Sequence, residues 1–98
     1  TCHNSIKLIK NATASGADYI AIGAFFYSNT KKISYKCKLS FIKKAKSITK
    51  LPLITIGGIS NSNYKNVVLH NPNFLAISGY IWNNKKYKPL EALKKIKL

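Results

Sequence analysis

Three short segments carry residue types that can hold an anion. Ser28-Asn29-Thr30-Lys31-Lys32 sets two hydroxyls one residue apart and follows them with ammonium groups, a donor set suited to a phosphate or a diphosphate. Gly57-Gly58-Ile59 has no side chain at two successive positions, so backbone N–H groups there can come close to a negatively charged ligand. Ile77-Ser78-Gly79 adds a further hydroxyl beside a glycine. Taken singly, each segment also reads as an ordinary polar loop or tight turn. Taken together, they favour a phosphorylated ligand.

Other chemistries lack their parts. His3 and His70 have no carboxylate or second histidine at metal-ligand spacing, which argues against zinc. The acids are Asp18 and Glu91 alone, so a paired-carboxylate mechanism cannot be assembled. Cys2 adjoins His3, but no third group orients such a dyad. Cys2 and Cys37 lie apart without CxxC spacing; a reduced, cytoplasmic setting is the default reading, and a single disulfide stays open. Phe25, Phe26 and Tyr27 could stack on bases, but a hydrophobic loop packed over a site is the simpler use.

The chain has 98 residues, with 17 basic side chains against 2 acids and a net charge of +15. Such a balance puts nucleic acid first among partners to test. Every basic residue is lysine, however, and the lysines are scattered rather than striped. That pattern fits solvated helix faces, or a field that draws in small anions, better than a sequence-reading surface built on arginine. At 46% hydrophobic and 19% charged, the chain is too apolar for a disordered basic tail. It holds no apolar run long enough for a membrane helix. It begins at Thr1 and contains no methionine, which points to a piece of a longer protein.

The elements that must position the three segments alternate between helix and strand. Asn4-Ser5 offers a helix start, Ile6, Ile9, Ala12 and Thr13 share a face, and Gly16 supplies the stop. The run from Asp18 to Gly23 reads as a buried strand, and a polar loop follows to about Cys37. Leu39, Ile42, Ala45 and Ile48 mark a second helix ended by Pro52; Leu53 to Ile56 is the next strand, closed by Gly57-Gly58. Asn61-Ser62-Asn63 is expected to cap a short helix with Tyr64, Val67 and Val68 inward. Phe74 to Ser78 is a third strand, Gly79 to Asn84 suits a short helical turn with Trp82, and Pro89 opens a last helix bearing Leu90, Leu93 and Ile96. This alternation predicts an α/β fold with a parallel sheet. Three strands alone make an uncomfortable parallel domain. The run fits the C-terminal half of a (β/α)8 barrel, a single unit over residues 1–98 from the end of strand five through helix eight.

The residues themselves carry a family resemblance. Gly16-Ala-Asp-Tyr-Ile-Ala-Ile-Gly-Ala-Phe-Phe-Tyr-Ser-Asn-Thr-Lys31 resembles the GADY…G-x-x-F-x-T-x-T-K segment of thiamine phosphate synthases. Thr1-Cys-His3 is similar to their S-x-H turn, Leu53-Ile-Thr-Ile-Gly-Gly-Ile59 with Asn63 to their A-I-G-G-I…N motif, and Phe74 to Trp82 to their strand-eight V-S segment. The resemblance implies a TIM barrel that joins hydroxymethylpyrimidine diphosphate to thiazole phosphate and releases pyrophosphate. It implies that Ser28, Asn29, Thr30, Gly58, Ile77 and Ser78 hold the thiazole phosphate, that Thr1 and Lys31 hold the pyrimidine diphosphate, and that Lys31 is catalytic. It further implies Mg²⁺, with its aspartate ligands in a first half-barrel outside this sequence, and small phosphorylated substrates as partners, with no membrane. On this view the 98 residues alone are expected to be inactive. Ser28 stands where the family commonly has threonine, Ala24 and Tyr27 where it commonly has proline, and the stretch before Phe74 is a residue short. The related thiazole tautomerases are similar to sequences with a histidine where this chain has Ala24, which favours the synthase. The alternatives are such a tautomerase-like paralogue, a non-catalytic phosphate-binding half-barrel that pairs with another copy or a separate half, and a basic nucleic-acid binder.

Overall fold

A computed structural model describes residues 1–26 and 37–97. The first helix, α1 (Ile6–Ala14), starts where the Ser5 hydroxyl accepts the Leu8 amide at 3.2 Å and ends before Gly16, whose φ of +84° suits a residue without Cβ. Strand β1 (Ile20–Ile22) follows, then α2 (Ser40–Ile48), β2 (Leu53–Thr55), α3 (Tyr64–Val68), β3 (Phe74–Leu75), α4 (Gly79–Trp82) and α5 (Pro89–Lys94).

The three strands are parallel and ordered β1-β2-β3, with Ile20 opposite Leu53, Ile54 opposite Phe74 and Thr55 opposite Leu75. Sequential order without reversal is how a barrel is wound; a doubly wound open sheet would reverse at a switch point. His3 pairs in parallel with Ile22, so the chain start lies on the other side of β1. The α/β half-barrel expected from the sequence is therefore present. Hydrogen bonds carry the pairing past the strand ends: Gly23 donates to the His3 carbonyl at 3.2 Å, Ile56 to that of Ile22 at 3.0 Å, and Ala76 to that of Thr55 at 2.8 Å.

Alternation sorts the strand residues by face. Ile20, Ile22 and Leu53 are buried and join Ile9, Ile42, Ala45 and Val67 in one core. Between the helices, the Thr13 hydroxyl meets that of Thr49 at 3.0 Å, tying α1 to the end of α2. The opposite face carries Ala21, Ile54 and Phe74 in one register row, half-buried at the first two and 60% exposed at Phe74.

One helix face differs from expectation, and a second buries a residue the sequence pattern did not single out. Val68 is 42% exposed, because Tyr64 and Val67 alone fill the inward side of five-residue α3. On α5, Ala92 is the buried residue while Leu90 and Leu93 are 64% and 55% exposed. The Tyr80 hydroxyl donates to the Ala92 carbonyl at 2.9 Å, and a small side chain at that position permits the close approach of α4.

Cys2 and Cys37 are buried free thiols. Burial pushes the Cys37 thiol from its ordinary 9.0 up to about 11. The folded state therefore keeps this proton after the unfolded chain has lost it, and stability falls as pH rises from about 9 to about 11. Below that window the contribution is complete. We expect the thermal midpoint to drop more steeply across the window in the wild type than in Cys37→Ala; parallel slopes would overturn this assignment.

Candidate functional site

Parallel strands deliver their C-terminal ends to one edge of the sheet, and that edge holds the residues that matter here. Gly23 follows β1, Gly57-Gly58 follows β2 at the centre, and Ile77-Ser78 follows β3. Asp18 precedes β1 at the opposite edge.

The glycine turn adopts backbone geometry that side chains resist. Gly57 has φ +100° and Gly58 has φ +67°. A Cβ on Gly57 would run into the side chain of Ala24 and come within 3.1 Å of the Phe25 amide. The Gly57 carbonyl accepts the Phe26 amide at 3.1 Å, which draws the segment after β1 against this turn and leaves Phe25 buried beside it. Among the described residues, none accepts from the amides of Gly57, Gly58 or Ile59. Successive left-handed residues with uncommitted amides form the kind of concavity that takes an anion.

Asn63 holds this turn from behind. Its Nδ2 donates to the Gly58 carbonyl at 3.0 Å, and its Oδ1 accepts the Ser60 amide at 2.8 Å. The sequence suggested a helix cap at this position. Instead the side chain faces back into the turn, and α3 begins with the Tyr64 amide on the Ser60 carbonyl at 3.0 Å.

At the neighbouring tip, the Ser78 carbonyl accepts the Ile81 and Trp82 amides at 3.1 and 2.9 Å, while its side chain makes no capping bond to α4. The exposed hydroxyl is thus not committed to the helix. Ile77 is half-buried and packs against the core, so a ligand at the tips would meet its backbone rather than its side chain. Since His3 is level with Ile22, Thr1 falls level with Ile20, two residues short of the tips. Ser28, Asn29, Thr30 and Lys31 lie outside the described residues. The structure therefore brings Gly58, Ile77 and Ser78 to one edge, sets Thr1 lower, and adds Asn63, which sequence reading had as a motif residue and helix cap.

A cavity of about 480 Å³ opens between β3 and the last three helices, where Val68, Phe74, Leu75, Ile81, Leu93 and Ile96 line it. No ionisable side chain lines it, so it suits apolar contact rather than a phosphate. Among the described residues, no three His, Cys, Asp or Glu side chains gather. Magnesium takes carboxylate oxygens, and Asp18 lies at the edge of the sheet away from the strand tips, so it does not fit a metal held beside the glycine turn. No described helix is long and apolar enough to cross a membrane.

The comparisons with known proteins agree with one another. A family model described as thiamine monophosphate synthase matches residues 1–81. The thiamine-phosphate synthase of Pelagibacter ubique is 60% identical over 97 residues, which are 99% of this chain and 47% of that protein. The thiamine-phosphate synthase of Hyphomonas neptunium is 37% identical over 84 residues, covering 86% of this chain and 38% of that protein. In fold, the thiamine phosphate pyrophosphorylase from Pyrococcus furiosus superposes with a TM-score of 0.77 at 23% identity, over 94% of this chain and 43% of that one. The chain spans less than half the length of the relatives it matches.

Proposed function

Given that the chain belongs to the thiamine monophosphate synthase family, we propose that it supplies the phosphate-holding half of an enzyme that joins hydroxymethylpyrimidine diphosphate to thiazole phosphate. Pyrophosphate is the other product. The observation that carries this reading is the Gly57-Gly58 turn, two left-handed glycines whose amides meet no acceptor among the described residues, at the tip of the central strand beside the Ser78 hydroxyl on the next tip.

Each residue has a physical part. The Gly57–Ile59 amides and Ser78 donate to the oxygens of the thiazole phosphate and hold that substrate by its charged end, leaving its ring nitrogen directed at the pyrimidine carbon. The resemblance alone assigns Ser28, Asn29 and Thr30 to the thiazole phosphate and the Lys31 ammonium to the diphosphate. When the carbon–oxygen bond to the diphosphate breaks, the electron pair leaves with the diphosphate, and an ammonium placed there stabilises the charge that develops. The thiazole nitrogen then forms the new carbon–nitrogen bond. Thr1 takes its place at the diphosphate from the resemblance alone. Magnesium, which the family resemblance brings, would be held by residues other than those described here. The net charge of +15 raises the local concentration of both anionic substrates around the molecule. The reading makes the reaction cytoplasmic and the chain on its own inactive.

Calorimetric titration with thiazole phosphate tests the assignment. Ser78→Asp sets a carboxylate beside the bound phosphate, and affinity is expected to fall at least about tenfold, or roughly 1.4 kcal/mol. Equal affinity in wild type and variant would remove Ser78 from the site.

A further inference from the structure

We infer that Asn63 is a positioning residue that sets the Gly57-Gly58 turn in its anion-accepting form before any ligand arrives. The inference rests on the phosphate reading above and deepens it.

The Gly58 carbonyl is the pivot. Its oxygen accepts Asn63 Nδ2 at 3.0 Å, so the carbonyl points towards the start of α3. The Gly58–Ile59 peptide is trans, which places the Ile59 N–H on the other side of the same plane, away from Asn63. Holding the oxygen therefore aims the amide. Without that bond, the Gly58–Ile59 peptide turns about Gly58 ψ and Ile59 φ, and on its N-terminal side only a glycine, with its wide backbone freedom, resists the rotation. A rotated peptide would present its carbonyl dipole, rather than its amide, to an incoming phosphate.

A second contact fixes the other end of the lever. Asn63 Oδ1 accepts the Ser60 amide at 2.8 Å, and the Ser60 carbonyl in turn accepts the Asn63 and Tyr64 amides at 3.3 and 3.0 Å. Tyr64 is buried, and its hydroxyl both donates to the Lys97 carbonyl and accepts the Lys97 amide, each at 3.0 Å. The turn is thereby referenced to the core and to the far end of the chain.

Position 63 requires a side chain that donates and accepts from one planar group. Aspartate matches the shape and can still accept from Ser60, but its second oxygen would face the Gly58 carbonyl with like polarity. Loss of this preorganisation shows as weaker binding even though no atom of Asn63 touches the ligand.

The test uses the isotope-labelled 98-residue chain, titrated with inorganic phosphate and with thiazole phosphate while the backbone amide signals are followed. In the wild type, the Gly57, Gly58 and Ile59 amides should respond to both. In Asn63→Asp the apparent affinity should fall about tenfold or more, with the same three amides exchanging faster with solvent before ligand is added. Asn61→Asp adds the same charge at an exposed neighbour that makes none of these bonds, and it should stay within about twofold of wild type. Melting curves show that each variant is folded, and Asn63→Ser replaces Asn63→Asp if that variant is not. A wild-type response that survives unchanged in the Asn63 variant overturns this inference alone, as does an equal loss in Asn61→Asp. A wild type whose turn ignores both phosphates overturns the phosphate reading, and the role of Asn63 with it.

Discussion

Gly57→Ala is expected to lower stability by about 2–5 kcal/mol and the thermal midpoint by roughly 10–30 °C. Two terms add. The left-handed backbone at φ +100° penalises any Cβ by about 1–2 kcal/mol. The new methyl would also collide with Ala24, whose Cα lies 2.6 Å from the ideal Cβ position. That obstacle is backbone and a short side chain, not the movable end of a long one, so relief requires the segment after β1 to shift. Such a shift breaks the Phe26 amide bond to the Gly57 carbonyl and loosens buried Phe25. Gly16→Ala is the control, since nothing lies within 4 Å of its Cβ position and the strain at φ +84° acts alone. Circular dichroism melts of the two variants separate the terms. Equal midpoints would show that the turn does not pack against Ala24 as described.

Leu53→Ala should cost about 2–5 kcal/mol, because Leu53 is fully buried in the central strand and its loss leaves a cavity between sheet and helices. Its backbone is pinned on both sides of the peptide: the amide donates to Asn73 Oδ1 at 2.9 Å and the carbonyl accepts the Asn73 amide at 3.1 Å. The strand is therefore poorly placed to collapse into the void. Thr55→Val, equally buried on the same face, should cost about 1 kcal/mol or less, since its hydroxyl reaches the Phe74 carbonyl only at 3.3 Å and the shape is conserved. Urea unfolding gives the ranking, and a Thr55→Val loss as large as that of Leu53→Ala would contradict it.

The sequence made the skeleton readable where a residue type has one use. Ser5 before an apolar face and Gly16 after it bounded α1 correctly, and the apolar runs at Ile20–Ile22 and Leu53–Thr55 had no other home than a covered parallel strand. Reading was poorer where one residue type serves two purposes. Asparagine caps helices and clamps turns with the same amide, and only the direction of the Gly58 carbonyl decides between them for Asn63. A helix of five residues shows too little periodicity to choose among adjacent apolar positions, so Val68 was set on the wrong side. The level of Thr1 depends on strand register, which the residues from Thr1 to His3 do not encode by themselves.

The row of Ala21, Ile54 and Phe74 forms an apolar strip on the strand face opposite buried Ile20, Ile22 and Leu53, and among the described residues β3 has no second neighbour to complete its ladder. Such a strip and margin invite identical molecules to stack into fibrils or clumps. The lysine surplus supplies the counterweight: molecules bearing +15 each repel across a screening length of about 8 Å at physiological salt. A composition that says little about what this chain recognises thus opposes the approach of one such sheet to another.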